Sequence, residues 1–429
     1  MKYLPIDRNL FIRNRQNFIK NLLPDSISVF HSNDIMPTNA DGTMPFRQNN
    51  DLFYLTGIDQ EETILVLFPD SKESNNREIL FIKETNDHIA IWEGKKLSKK
   101  DATEISGIEK VLWVSQFESI FETLLPECKH LYLNSNEHNR AVKVVETRND
   151  RFVKWCKEKY PLYDYQRSAP IMHQLRTIKS PIEIELIEKA CEITAKSFSR
   201  VLKFIKPGVT EYEIEAEFYH EFIRNRSRGP AYQPIIASGS NSCILHYVEN
   251  NKICKDGDII LLDVAAEYAN YASDLTRVVP VNGKFSKRQK DVYNAVLRGM
   301  REAFKLLTVG NSFSNYNKEV SRIMENQLVD LGLLKMDDIR KQDPNAPLYK
   351  KYFMHGASHA LGLDVHDVYD KGRSFEPGMV FSLEPGIYIR EEGIGIRLEN
   401  DILITKEGPM DLMKNIPIEA EEIENLMND

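Results

Sequence analysis

The sequence predicts an α/β (α+β) protein of two modules, the second of which is built twice. Three observations carry this expectation. The composition is globular, with 42% hydrophobic and 28% charged residues over 429 positions, and the length suits two domains better than one. Short β-branched runs are separated by amphipathic stretches, a pattern that favours layered α/β architecture. Residue types are also segregated: Trp92, Trp113 and Trp155 all lie early in the chain, whereas His355, His359 and His366 crowd one late segment.

The first module spans 1–170. Its apolar runs, Ile27 to His31, Thr63 to Phe68, Glu78 to Ile82 and Leu131 to Leu133, read as buried strands. Asn9 to Leu23 and Gln116 to Leu125 read as amphipathic helices. Ser115 and Glu118 stand at capping-box spacing before the second of these. On composition alone, Phe46 to Gly57 reads as a loop leading into a strand. Pro161, Pro170 and Ser180-Pro181 mark the boundary near residue 170.

The second module, 171–429, has clear helix starts. Ser180-Pro181-Ile182-Glu183 places Ser at N-cap, Pro at N1 and Glu at N3. Ile184, Ile187, Cys191 and Thr194 then share a face. Further helices open at Thr210 with Glu213, at Ser286 with Gln289, and near Ser314, the last running to Gly332. Two strands repeat one form: Gly257 to Asp263 and Gly378 to Glu384 each run from a glycine through apolar residues to a carboxylate. Each is followed by a return to a second acid, Asp274 and Glu399. Helix, helix and two-acid hairpin therefore occur twice.

A carboxylate at the end of a buried strand is costly unless it takes a proton or a partner. One such acid reads as a turn residue. Four in duplicated context imply a shared cation. The segment His355 to Asp367 adds three histidines. His355 and His359 are spaced for one helix face, but Gly356 and Gly362 weaken a helix there. The segment is neither HExxH nor GxSxG, which excludes a zincin site and a serine-hydrolase elbow. One imidazole with four carboxylates suits two hard or borderline divalent ions, manganese before zinc, cobalt or iron. Such ions activate water and polarise carbonyls.

The formal net charge of −8, from 56 basic and 64 acidic residues, excludes a broad nucleic-acid footprint and a polybasic membrane anchor. No apolar run reaches the roughly 18 residues of a membrane span, and the charged N-terminus shows no leader peptide. Five scattered cysteines without a CxxC read as reduced thiols of a cytoplasmic protein.

The C-terminal module resembles the pita-bread fold of the methionine aminopeptidase, prolidase and aminopeptidase P superfamily. The matching segments are Leu262-Asp263, Ser273-Asp274-Leu275-Thr276-Arg277, His355 to Asp367, Leu383-Glu384-Pro385-Gly386 and Arg397-Leu398-Glu399. The HGxSHxLGLDVHD form, and Pro45 to Gly57 in the first module, are most similar to the Xaa-Pro aminopeptidase (aminopeptidase P) family, peptidase family M24B. The first module then corresponds to a creatinase-N-like domain. Asn400 departs from the Asp of many relatives, and Leu334 to Met354 looks like a family-variable insertion.

The resemblance implies metal ligands at Asp263, Asp274, His359, Glu384 and Glu399, with Asp274 and Glu399 bridging two ions. It implies attack of a metal-bridging hydroxide on the carbonyl before proline, with Glu384 as proton shuttle. His246 and His366 would lie by the developing oxyanion and His355 by the proline pocket. Arg397 would hold a carboxylate or substrate, and Tyr232 is a weaker substrate-binding candidate. The implied partners are peptides beginning Xaa-Pro and further copies of the chain, as a homodimer or homotetramer. The competing readings are a prolidase, a non-enzymatic pita-bread binding module and a creatinase-like hydrolase. The last two are disfavoured by the complete ligand set.

Overall fold

The computed structural model describes residues 2–142, 144–370 and 372–428. By internal contacts the chain divides into two compact units, one of residues 3–175 and one of residues 176–429.

The first unit contains α1 (Asn9–Ile19), β1 (Ser26–His31), α2 (Asn50–Thr56), β2 (Ile64–Leu67), β3 (Glu78–Ile82), α3 (Asp87–Glu93), α4 (Lys99–Ser106), β4 (Lys110–Trp113), α5 (Phe117–Leu124), β5 (His130–Leu133), α6 (Arg148–Lys159) and β6 (Asp164–Arg167). The division between units falls within α7 (Ala169–Thr177). Six strands form one mixed sheet in the order β4-β3-β2-β1-β5-β6. Every residue of β1 is buried, because helices cover both faces and hide the alternation a one-sided strand would show. Ile27 and Val29 pack towards Phe117, Phe121 and Phe152 of α5 and α6. Phe30 meets Phe18 of α1 edge to face at 5.2 Å.

Two local expectations for this unit are corrected. The segment after Phe46 leads into a helix rather than a strand. Asn49 accepts from the N–H groups of Asp51 and Leu52 and so caps α2, and Gly57 ends it at φ 69°. The Ser115–Glu118 capping box does not form. A short 3₁₀ turn, Val114–Gln116, precedes α5, and the Gln116 side chain accepts instead from the Trp113 N–H. Hydrogen-bonding spacing alone does not say where the first turn begins.

The second unit contains α8 (Pro181–Phe204), α9 (Glu211–Arg224), β7 (Ile235–Ser238), β8 (Ile259–Asp263), β9 (Glu267–Tyr268), β10 (Tyr271–Ala272), β11 (Thr276–Pro280), α10 (Lys287–Phe304), α11 (Phe313–Asp330), α12 (Met336–Ile339), β12 (Val380–Leu383), β13 (Gly386–Ile389), β14 (Ile394–Arg397), β15 (Asn400–Thr405), β16 (Gly408–Asp411) and α13 (Ala420–Asn428). The capping boxes at Ser180, Thr210 and Ser286 form as expected. The fourth helix opens near Ser314 as expected, beginning at Phe313 with Ser312 as its cap.

The duplication is real in three dimensions. β8 pairs antiparallel with β11, and β12 with β15. Each hairpin holds a small ribbon at its tip, β9–β10 in one and β13–β14 in the other. Gly257 and Gly378 enter the outgoing strands at φ 81° and 92°, where a side chain would strain the backbone. The repeat is inexact in one respect: β7 joins the outgoing strand β8, whereas β16 joins the returning strand β15. A bridge between Thr276 and Glu399 ties the halves together. No helix among the described residues is long and apolar enough to cross a membrane.

Candidate metal centre

The hairpins aim their acids at one place. Asp263 is the last residue of β8, and Asp274 stands two residues before β11. Glu384 follows β12 directly, and Glu399 directly precedes β15. His359 comes from the connection between α12 and β12, where residues 355–359 are not helical, so the i, i+4 spacing with His355 does not act through a helix face. Asp274, His359 and Glu399 offer ligand atoms all within 4.8 Å of one another. His359 Nε2 lies 3.3 Å from Asp274 Oδ2 and 3.7 Å from Glu384 Oε1. Asp263 accepts from Arg397 Nη2.

The surroundings hold these groups in place. Arg397 also donates from Nε to Thr276 Oγ1 at 3.1 Å and from Nη1 to Tyr388 Oη at 2.9 Å. The Thr276 hydroxyl donates to Glu399 Oε2 at 2.6 Å. His355 has Nδ1 at 2.7 Å from the Gly356 carbonyl and Nε2 at 2.8 Å from Tyr388 Oη. That places its proton on Nδ1 and makes Nε2 an acceptor from tyrosine. His366 meets His359 edge to face at 4.2 Å between ring centroids. Tyr232 is half-buried, and its hydroxyl accepts from the Leu275 N–H at 3.4 Å. His246 is exposed, on the loop after the 3₁₀ turn Gly239–Cys243.

The electrostatics report a shortage of positive charge. Burial pushes the carboxyls of Asp263 and Glu399 upward, with neighbouring carboxylates adding to the effect at both. Burial likewise raises Glu384, to about 7, against the opposing pull of His359 and Arg397. For His359, burial opposes protonation, but the Asp274 hydrogen bond and the Glu384 charge prevail and lift it to about 9. Burial and Arg397 hold His355 down at about 4. Asp263 Oδ1 and Glu399 Oε1 are buried without a hydrogen-bond partner. Buried carboxylate oxygens normally have partners. Divalent cations would satisfy these atoms, and the O and N donors match hard or borderline metals. The residues therefore fit the metals that the resemblance implies.

Sequence reasoning did not single out Tyr388, Thr276, Ser382 or Asp401. Asp401 was accessible in principle, because it lies two residues after Glu399 and so on the same face of a strand. Tyr388 and Ser382 carry no comparable local signal.

Fold and site together define a class: a metal-dependent hydrolase with a duplicated catalytic domain. The metallopeptidase family M24 model matches residues 185–406, and that of the aminopeptidase P N-terminal domain matches residues 11–132. The Xaa-Pro aminopeptidase of Escherichia coli strain K12 is 37% identical over 440 residues, covering 98% of each chain. Xaa-Pro aminopeptidase 3 of Homo sapiens is 31% identical, over 94% of this chain and 81% of its own. The zinc-substituted E. coli aminopeptidase P in complex with product superposes with a TM-score of 0.90 at 37% identity, covering 99% of each chain. The chain belongs to the Xaa-Pro aminopeptidase (aminopeptidase P) group of metallopeptidase family M24.

Proposed function

We propose that the chain releases the N-terminal residue from peptides with proline in second position, using two divalent ions, manganese foremost, held by Asp263, Asp274, His359, Glu384 and Glu399. The observation that supports this is the convergence of these five side chains, with buried carboxylate oxygens that have no partner in the protein. When bound, the ions would supply Lewis acidity and an activated water.

The protein's own groups have separable roles. Glu384 takes a proton during attack and returns it to the leaving proline nitrogen. His246 and His366 donate to the oxyanion that develops on the scissile carbonyl, a charge present only towards the transition state. Tyr388 orients His355 beside the proline pocket, and Arg397 holds Asp263. Tyr232 contributes to substrate binding. Proline carries no N–H, so a site selecting it needs a shaped wall and no acceptor.

The catalytic domain in this reading is 171–429, the domain of 1–170 supports assembly as a homodimer or homotetramer, and the protein acts in the cytoplasm. Five free cysteines, all buried, agree with a reducing compartment.

The test is hydrolysis of Xaa-Pro-Yaa tripeptides together with metal analysis. Asp274→Ala and His359→Ala should each lower kcat/KM by about 10³ or more, and full activity in either would sink the ligand assignment. Turnover of Xaa-Pro dipeptides alone, with tripeptides untouched, would make the protein a prolidase instead.

A further inference from the structure

The register of β12 on β15 sets Ser382 opposite Asp401. Both are fully buried, and each grips the backbone of a different ligand. Ser382 donates its N–H to the His359 carbonyl at 2.9 Å. Its Oγ accepts from the His359 N–H at 3.1 Å. Asp401 Oδ2 accepts from the Asp274 N–H at 2.9 Å and faces Cys191 Sγ of α8 at 3.5 Å. Asp401 Oδ1 is buried with no partner.

We propose that Asp401 is a positioning residue of the metal centre, paired across the strands with Ser382 and steadied by the Cys191 thiol. Together they anchor the backbones of Asp274 and His359, the ligands that come from the two halves of the duplication. This inference rests on the ligand reading given above. Asp401 Oδ2 is shared by the Asp274 N–H and the Cys191 thiol, so it fixes the Asp274 backbone against α8, just as Ser382 fixes the His359 backbone through two hydrogen bonds. Ligand-orienting groups behind a metal commonly change affinity by about 10- to 100-fold.

The experiment compares the full chain and its variants, stripped with chelator and titrated with Mn²⁺ and, separately, Zn²⁺ by calorimetry. Asp401→Ala removes the acceptor that holds the Asp274 N–H. It should weaken Mn²⁺ binding by about 10- to 100-fold, whatever its metal-free melting temperature. A residue needed only for folding would instead show a lowered metal-free melting temperature and an unchanged Kd. That result, or an unchanged Kd with any melting temperature, overturns the proposal. If Asp401→Ala does not fold, the Cys191 variants decide. Cys191→Ser retains a donor and should bind Mn²⁺ as wild type does, whereas Cys191→Ala should bind it several-fold more weakly. Equal affinities in that pair overturn the proposal. A wild type that binds neither ion removes the metal reading itself, and this inference with it.

Discussion

His31 shows how one buried side chain can make an element pH-sensitive. It lies in β1 with 3% of its surface exposed, between the rings of Phe117 and Phe152, and neither ring nitrogen has a hydrogen-bond partner. Burial first, then the charges of Arg148 and Arg151, lower its pKa to about 3. The unfolded chain binds this proton from about pH 6.5 downward, whereas the folded chain refuses it until about pH 3. Stability should therefore fall as pH drops through that window, by roughly 1.4 kcal/mol per pH unit. His31→Phe should abolish this slope and leave stability at pH 7 within about 1 kcal/mol. Denaturant melts of wild type and variant at pH 7 and pH 5 measure it. In the site, Arg397 is the matching case, because its three nitrogens reach three different partners. Arg397→Lys keeps the charge but cannot reproduce the fork. A drop in kcat/KM of about 10²-fold is expected, and wild-type kinetics would show the fork to be dispensable.

At the scale of elements, capping and close approach decide more than propensity does. α2 is seven residues long, too short to persist by itself. Asn49 and Gly57 define its ends, and Leu52, Phe53 and Leu55 are buried. Asn49→Ala should cost about 1 kcal/mol, read from the shift in denaturant midpoint. Gly395, in β14, is a stricter case. A Cβ there would sit 2.1 Å from the Ser242 carbonyl oxygen, a backbone atom that cannot step aside. Gly395→Ala should push β14 away from the Gly239–Cys243 turn and displace Arg397 two residues on. Tripeptide turnover should fall even though no group at the site has been changed chemically.

At the scale of the whole molecule, the five proposed ligands all lie in the unit of residues 176–429. A cation bound there stabilises the folded state by mass action. Hydrogen exchange with and without Mn²⁺ should show new protection around 259–276 and 355–401 and none in 3–175. Protection spread evenly over both units would contradict a centre confined to the second.

Much of this protein is legible in its residues. The two strands ending in Asp263 and Glu384, the capping boxes at Ser180, Thr210 and Ser286, and the duplication itself are local patterns, because caps, periodicity and glycine turns act over a few residues. The family resemblance extended this to a ligand set. The helix at Asn50–Thr56 was missed because its reason for being helical is burial, and α5 starts where the Trp113 backbone finds a partner rather than where Ser115 is spaced to cap. The sequence by itself determined the duplication, most of the strand and helix types, and which acids and histidines can be proposed as metal ligands. Tertiary structure alone decided that Tyr388 bonds His355 and Arg397, that Thr276 grips Glu399, and that Asp401 and Ser382 hold the backbones of Asp274 and His359. Those contacts join residues up to 127 positions apart, and they arise from strand register and the meeting of the two halves, which no local pattern encodes.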